Sequence, residues 1–288
     1  MRIQSRPEPR RCAIDRRGKA DSPLPRLSSV RNGGNFRGGA LSVSVVVITK
    51  NEADAIERCL RSVDWADEVI VLDSGSTDPT VEISQKLGAR VSVTTDWPGY
   101  GPQKNRALSQ AAGDWVLSLD ADEWVTPDLR DEIRSVISRP DGAVAFRVPR
   151  LSSFCGRFMR HSGWWPDHVI RLFRRGAARF SDDVVHEHVI VEGKTGTLRV
   201  PIMHETFVDL DELLQKMNNY SSLAAQEMRR GGRKAGLAGA VLRGLWAFMR
   251  TYFFRGGFLD GREGFMLAVA TAEGTYYRYA KLLLLDKK

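Results

Sequence analysis

The chain has 288 residues, 42% of them hydrophobic, so it can bury one large core or a core with an appendage. Its three cysteines, Cys12, Cys59 and Cys155, are too widely spaced for a disulfide framework or a CxxC metal site, so we expect a reducing compartment. No N-terminal basic stretch is followed by an apolar run of signal-peptide length, and secretion is therefore not expected.

The net charge of +8 is distributed unevenly along the chain. Residues 1–40 contain ten Lys/Arg and three Asp/Glu, and residues 229–288 contain twelve and four, which leaves residues 41–228 net negative. An acidic body suits a divalent cation, and basic ends suit anionic lipid or nucleic acid. The N-terminal arm has no stacking platform or recognition motif, so a non-enzymatic nucleic-acid-binding protein is the least supported alternative.

Residues 1–40 are rich in Arg, Pro, Gly and Ser without apolar periodicity, which predicts a disordered basic arm. The β-branched run at 42–49 then predicts a strand that is buried on both faces. Strands and helices alternate after it, with strands at 68–72, 90–94 and 115–119 and helices at 52–63, 80–87 and 103–112. This alternation predicts an α/β fold with a mostly parallel, Rossmann-like sheet and helices on both faces.

The rhythm changes further along the chain. Short apolar runs at 143–148, 169–173, 189–191 and 197–202 predict strands without intervening helices, as in a mixed or antiparallel extension of the sheet. From Asp209 onward the pattern becomes helical. We therefore divide the chain into three parts, which are the arm 1–40, an α/β domain 41–208 made of the halves 41–125 and 126–208, and a helical region 209–288.

Acidic residues follow the predicted strands, where ligands of parallel sheets bind. Asp120 and Asp122 come directly after a buried strand and could share one Mg²⁺ or Mn²⁺, with phosphate oxygens completing its shell. Asp73 could hydrogen-bond a ribose or a base, or it could form an Asx turn and cap the next helix. Because Asp78 precedes Pro79 and suits that cap better, we assign Asp73 to a ligand.

Glu52 follows the first strand, where it could contact a ligand or, as a first-turn acid, favour the helix dipole. Neither a Walker A sequence nor GxGxxG follows this strand, which argues against ATP hydrolysis and hydride transfer.

Four segments of the first half resemble the inverting family 2 glycosyltransferases, which have the GT-A fold. They are VSVVVITKNEADAIERCLRSV, VIVLDSGSTDPT, GPQKNRAL and GDWVLSLDADEWVTPDL. Later segments, WWPDHVIRLFRR, VVHEHV, VPIMHETF and RGGFLDGREGF, are similar to the lipopolysaccharide-core glucosyltransferases that modify inner-core heptose. The resemblance extends from about Ser42 to near the C-terminus.

The resemblance implies a role for each matching residue. Thr49, Glu52 and Asp73 would line the nucleoside pocket, Asp120 would hold the ribose or the metal, and Asp122 would coordinate the metal.

Lys104 and Arg106 could reach phosphate, although charged residues on a solvated helix face explain Arg106 equally well. His204 lies at a predicted strand end and is a candidate third metal ligand or a packed core histidine. The HEH sequence lacks the HExxH spacing of a zinc site.

Inverting transfer needs a general base for the acceptor hydroxyl, and three carboxylates are candidates. Glu187 in HEH is slightly preferred over Asp167, which follows Trp164-Trp165-Pro166 and could lie beside a sugar stacked on those rings. Asp167 could instead form an ion pair with Arg171 or Arg174. Asp183 is a weaker third candidate.

Two apolar segments near the C-terminus, 237–254 and 264–285, are interrupted by charges. Arg243 and Arg250 are seven residues apart on one helical face, which favours amphipathic helices in the interface over a spanning helix. A helical pair packed on the catalytic domain, or an oligomer contact, is the alternative. We therefore expect a cytoplasmic protein that binds peripherally to the anionic inner face of the membrane.

Together these features predict transfer of a sugar, glucose by the resemblance, from a UDP-sugar to a lipid-linked saccharide such as the lipopolysaccharide inner core. The expected cofactor is Mg²⁺ or Mn²⁺. The alternative is a polyprenyl-phosphate glycosyltransferase of the same fold, whose ionised acceptor would need no base. The sequence predicts no nucleic-acid partner and leaves the oligomeric state open.

Overall fold

The computed structural model describes residues 41–182 and 187–285, so the predicted arm and residues Asp183 and His186 lie outside it. The strands are β1 Val43–Thr49, β2 Glu68–Asp73, β3 Arg90–Val93, β4 Trp115–Asp120, β5 Glu123–Trp124, β6 Ala143–Phe154, β7 Arg157–Phe158, β8 Asp167–Arg174, β9 Ala178–Phe180, β10 Val189–Val191, β11 Lys194–Thr197 and β12 Ile202–Phe207. The α-helices are α1 Ala53–Arg61, α2 Thr80–Lys86, α3 Tyr100–Leu108, α4 Pro127–Ser138, α5 Leu210–Arg230, α6 Leu237–Met249 and α7 Gly261–Leu285. A π-helical turn, Arg250–Phe254, and a 3₁₀ turn, Gly257–Asp260, connect α6 to α7.

The central sheet has the strand order β3-β2-β1-β4-β8-β6-β12-β5. Its first four strands are parallel, and β8 runs antiparallel to both β4 and β6. The predicted α/β class is confirmed, and so is the change to a mixed sheet in the second half. Thr49 is in register with Asp73, and Ile48 with Asp120, so the carboxyl ends of β1, β2 and β4 meet at one edge.

The sheet is buried on both faces, as the β-branched run in β1 predicts. Val45, Val47 and Leu117 face one core with α1 and α4, whereas Val46 and Val116 face another with α3. Alternate residues of a strand point to opposite faces, so each strand contributes to both cores. This two-sided burial fixes the strand register and thereby the position of the side chains at the strand ends.

The strand predicted at 197–202 is the one incorrect element assignment in the mixed part of the sheet. The structure has two strands, β11 and β12, on either side of this interval, and both pair in parallel with β6. Pro201 lies directly before β12 and interrupts the apolar run, because proline cannot donate to a strand ladder. The helix predicted at 103–112 begins three residues earlier, at Tyr100.

The C-terminal helices are packed on the α/β domain. Leu213 of α5 and Leu267 of α7 share a small core with Phe154 and Met159. The buried Asp260 accepts hydrogen bonds from the backbone of Arg160 and His161, which joins the RGGFLDGREGF segment to the loop after β7. Among the helices of the described residues, none is both long and apolar enough to cross a membrane.

Candidate active site

A cavity of about 780 Å³ opens at the carboxyl ends of β1 and β4. Its lining residues come from both halves of the α/β domain and from α5. They are Ile48, Thr49, Lys50, Glu52, Trp97, Tyr100, Lys104, Asp120, Ala121, Asp122, Glu187, His204, Tyr220 and Leu223. Parallel sheets bind ligands at this edge, so the cavity lies where the sequence predicts the site.

A buried arginine connects the two acidic residues that flank the tight turn after β4. Arg171 of β8 is 5% exposed, contacts Asp120, and lies 2.6 Å from Glu123 Oε1 through its Nη2. Glu123 is fully buried, and its Oε2 accepts a hydrogen bond of 3.0 Å from the backbone N–H of Asp120. Because Arg171 compensates both carboxylates, Asp120 is held in one orientation at the cavity wall.

Lys104 of α3 approaches Asp120 from the other side. Its Nζ lies 3.0 Å from Asp120 Oδ1 and 3.4 Å from Glu187 Oε1. Burial alone would raise the pKa of Asp120, but the cations of Arg171 and Lys104 hold that pKa well below its usual range. Both oxygens of Asp120 face cations, and its expected role toward the ribose or the metal stays a prediction. The sequence could not reveal this, since Arg171 is 51 residues away along the chain.

Asp122 and His204 are brought together by strand pairing. His204 of β12 pairs with Glu123 of β5, and its Nε2 lies 3.3 Å from Asp122 Oδ2. The other ring nitrogen, Nδ1, lies 2.9 Å from Ser152 Oγ and 3.0 Å from Thr206 Oγ1, which fixes the orientation of the ring.

These two side chains suit a divalent cation only in combination with a ligand. Within residues 41–182 and 187–285, no group of three or more His, Cys, Asp or Glu side chains could hold a metal ion. Mg²⁺ is commonly held by one or two carboxylates together with substrate phosphates, so Asp122 and His204 fit a cation whose remaining ligands come from a diphosphate.

The three candidate bases have different surroundings. Glu187 lines the cavity beside Lys104, whereas Asp167 is absent from the lining and binds Arg150 through Nε and Nη2 at 3.0 and 2.6 Å. The partner of Asp167 is therefore Arg150, and neither Arg171 nor Arg174. Trp164 packs edge-on against Phe154, at 6.1 Å between ring centroids, and so belongs to a core. The third candidate, Asp183, lies outside the described residues.

Gly101 explains how Glu187 comes so close to α3. A Cβ on this glycine would lie 1.8 Å from the backbone oxygen of Ser181 and 3.7 Å from the Cβ of Glu187. Only glycine permits this approach without a backbone shift. The first turn of α3 therefore packs directly on the segment that carries Glu187, and Tyr100 and Lys104 lie beside it.

Asp73 takes part in the turn that follows β2. It is fully buried and accepts hydrogen bonds from Thr49 Oγ1 at 3.0 Å and from the N–H groups of Gly75 and Ser76 at 2.9 and 2.8 Å. Asp78 does accept from the N–H of Thr80, as expected of a cap. Asp73 also accepts from donors of the turn after β2, and its expected contact with the nucleoside stays a prediction. Thr49 lines the cavity.

Arg106 lies away from the cavity lining and forms a two-point ion pair with Asp96, with distances of 2.9 and 2.6 Å. This contact supports the solvated-helix interpretation of Arg106 over a phosphate contact. Lys104, two residues earlier on the same helix, points instead into the cavity.

Glu52 lines the cavity at the residue that precedes α1, and its side chain makes no capping hydrogen bond. Burial, together with the nearby Asp122, raises the pKa of Glu52 to about 7. The Glu52 carboxylate is therefore costly to ionise in the absence of a cation or a donor group.

Three features of the site escaped the sequence analysis. The first two are Glu123, which directly follows the acidic pair, and Arg171, which lies in the quoted RLFRR segment. The third is α5, where Lys216, Tyr220 and Leu223 recur at helical spacing. Tyr220 and Leu223 line the cavity, and Lys216 interacts electrostatically with Asp122. That spacing is the available signal, but the prediction for the region after Asp209 was membrane docking, or packing on the catalytic domain or an oligomer contact, with no role in the cavity.

The family model for glycosyl transferase family 2 matches residues 44–191. The chain belongs to this family, and its mixed sheet, with the acidic turn at the end of the fourth strand, is the GT-A fold that the resemblance implies. It is 33% identical over 258 residues to an uncharacterized glycosyltransferase of Rickettsia typhi, covering 85% of this chain and 88% of the relative. It is 30% identical to the lipopolysaccharide core biosynthesis glycosyltransferase LpsC of Rhizobium meliloti, covering 83% and 94%.

Two solved structures are also similar. Staphylococcus aureus TarS 1–349 is 16% identical, with a TM-score of 0.45 and coverage of 86% of this chain and 91% of that one. Glucosyl-3-phosphoglycerate synthase of Mycobacterium tuberculosis, in complex with Mn²⁺, UDP and glucosyl-3-phosphoglycerate, is 29% identical, with a TM-score of 0.34 and coverage of 40% and 45%.

The raised pKa of Glu52 predicts a pH-dependent gain in stability for Glu52→Gln. A proton on Glu52 favours the fold below pH 4.5, and this contribution is lost as the pH rises through about 7. In EDTA at pH 8, the glutamine variant should therefore gain up to about 3 kcal/mol in the free energy of unfolding by urea. The gain should shrink to a few tenths of a kcal/mol near pH 4.5, on the order expected from linkage. Glu57→Gln, on the exposed face of α1, is the control, and an equal gain at both pH values would contradict the assignment.

Proposed function

We propose that this glycosyltransferase transfers a sugar, glucose in our assignment, from a UDP-sugar to a hydroxyl group of a lipid-linked saccharide of the lipopolysaccharide inner core. The observation that carries the proposal is one cavity that contains Glu187 on one side and Asp122 with His204 on another, with Lys104 near Glu187. The similarity to the lipopolysaccharide core biosynthesis glycosyltransferase of Rhizobium meliloti supports the class of acceptor.

The geometry suits an inverting displacement. Glu187 would accept the proton of the acceptor hydroxyl, whose oxygen forms a bond to the anomeric carbon while the bond from that carbon to the diphosphate oxygen breaks. Lys104 Nζ lies 3.4 Å from Glu187 Oε1 and brings a positive charge to the cavity. Arg171 keeps Asp120 ionised, and Asp120 in turn orients Lys104. Thr49 and Glu52 are proposed to line the nucleoside pocket.

Asp122 and His204 would hold the divalent cation, Mg²⁺ or Mn²⁺. When bound, the cation would neutralise the negative charge that develops on the departing diphosphate. Because the two side chains supply only part of a coordination shell, the cation and the donor should bind together, each strengthening the binding of the other.

Asp122→Asn should abolish detectable transfer, since the amide cannot replace a charged ligand, while thermal unfolding stays within a few degrees of the wild type. UDP affinity measured by calorimetry should fall at least tenfold in Mg²⁺, on the order expected for the loss of one charged metal ligand, and change little in EDTA. Asp128→Asn, an exposed change on α4, is the matched control. Full transfer by the wild type in EDTA would overturn the metal assignment.

Replacement of the two candidate bases should separate their roles. Glu187→Gln should lower kcat by roughly 100-fold or more, the usual range for loss of a general base, with UDP affinity preserved. Asp167→Asn should lower it much less, because Asp167 binds Arg150 outside the cavity lining. Release of UDP in the presence of a heptose-containing acceptor is the measurement. If both variants keep full activity and a polyprenyl phosphate is the better acceptor, the alternative with an ionised lipid-phosphate acceptor is correct.

The C-terminal region also has an exposed apolar surface, formed by α6, the turns before α7 and the start of α7. Leu242, Trp246 and Phe254 are 65%, 58% and 71% exposed. Other large apolar side chains of this surface are Leu237, Val241, Leu245, Met249, Phe253, Phe258, Leu259 and Phe265. Monomeric soluble proteins rarely expose so many neighbouring apolar side chains, so this surface needs a partner.

We propose an anionic membrane as that partner, because residues 229–262 contain eight Lys/Arg and one acidic residue, Asp260, which is buried. Positive charge around an apolar helix surface is typical of helices that lie in the membrane interface. Arg243 stacks over Tyr279 of α7, at 4.6 Å from the ring centroid, so it contributes to packing as well as to charge. The proposed location is the cytoplasmic face of the inner membrane.

The apolar surface can be tested by liposome flotation with Leu242→Ser combined with Trp246→Ser. The double variant should lose most of its association with vesicles that contain phosphatidylglycerol, with unchanged transfer to a short soluble acceptor. Raising the salt from 0.1 to 1 M should release part of the wild type, because the Debye length falls from about 10 to 3 Å. Val93→Ser, exposed on β3, is the control, and a wild type that stays with the soluble fraction would contradict the proposal.

A further inference from the structure

The cavity has a second feature, which the catalytic chemistry leaves unexplained. Four large side chains on its lining are about half exposed, namely Trp97, Tyr100, Tyr220 and Leu223, at 46%, 49%, 61% and 52%. The rest of the lining is dominated by polar and charged groups. Exposed aromatic side chains inside a polar cavity indicate contact with a ligand that has both apolar and polar surfaces.

These four side chains, which we name the aromatic wall, come from two separate segments. Trp97 and Tyr100 form an edge-to-face pair, with ring centroids 4.9 Å apart, at the start of α3. Tyr220 and Leu223 are three residues apart on α5 and therefore lie on one helix face. Lys281 of α7 donates to the carbonyl of Asn218 and to Ser221 Oγ, both at 2.8 Å, which fastens this part of α5.

The start of α3, which carries Tyr100 of the aromatic wall, lies close to Glu187, and all members of the wall line the same cavity as Glu187. The glycine at position 101 brings the start of α3 against the segment that carries Glu187. Burial raises the pKa of Tyr100, and the nearby Tyr220 and Glu187 raise it further, as expected if both lie near its hydroxyl group. The wall and the candidate base therefore face the same space.

We propose that the aromatic wall is the binding site for the acceptor saccharide, stacked against the C–H face of one sugar ring so that its hydroxyl reaches Glu187. This assignment rests on the proposed function and identifies the acceptor as a saccharide. Three of the four side chains have polar edges, the indole N–H and two phenol hydroxyls, which suit sugar hydroxyls and would be poorly placed against an acyl chain.

The test compares Tyr220→Ala and Trp97→Ala with Tyr220→Phe and with Tyr277→Ala, a partly exposed tyrosine of α7 outside the cavity lining. The probe is a deacylated, heptose-containing core oligosaccharide. Its KM should rise roughly tenfold in each alanine variant of the wall, on the order of one lost aromatic contact, and only slightly in Tyr220→Phe and Tyr277→Ala. UDP affinity measured by calorimetry should be unchanged in all four.

Binding of the same oligosaccharide by calorimetry, with UDP present and no turnover, separates this proposal from the reaction itself. Loss of oligosaccharide binding in the alanine variants supports the wall even if the wild type transfers no sugar to the probe, in which case the proposed reaction fails alone. An unchanged KM and unchanged binding would overturn the wall as an acceptor site. A fall in UDP affinity in the alanine variants would also overturn it, because the rings would then stack on the nucleobase.

Discussion

Asp120 and Glu123 meet at the turn after β4, and Arg171 lies between them. Glu123 is fully buried and Asp120 is partly buried, and two neighbouring carboxylates in such surroundings repel each other unless a cation compensates them. The guanidinium reaches them only because β8 pairs antiparallel with β4 and places Arg171 near the end of that strand. The strand order of the sheet and the ionised state of the site therefore depend on the same contact.

Other features of the site follow from this fixed pair of charges. With Arg171 on one oxygen of Asp120, the other oxygen faces Lys104, and Lys104 in turn approaches Glu187. Positive and negative groups thus alternate from the interior to the proposed acceptor side. Asp122, two residues beyond Asp120, is left to pair with His204. The two acidic residues of one short motif have different partners, since only the first is compensated by buried cations.

The helical region after Asp209 contributes to two surfaces, the wall of the cavity and an exposed apolar surface. Its first helix, α5, contributes Tyr220 and Leu223 to the cavity, whereas α6 and the turns after it expose large apolar side chains. A small core around Phe154 and Leu213, with Leu267 of α7, holds this region against the sheet. The cavity lining from α5 and the apolar surface of α6 thus belong to the same part of the chain. A lipid-linked acceptor at the membrane surface would contact both, which is consistent with the proposed substrate class.

The sequence by itself determined the alternation of strands and helices up to Asp120, the edge at which the acidic turn lies, and the family. Those features depend on local periodicity and on motifs of a few consecutive residues, so the sequence alone is enough to predict them. Only the tertiary structure decided that Asp120 faces two cations, that Asp73 serves its own turn, and that Asp167 binds Arg150. It also decided that α5 closes one side of the cavity. These outcomes depend on contacts between residues tens of positions apart, and the pairing of strands and the packing of helices, rather than local spacing, bring such residues together.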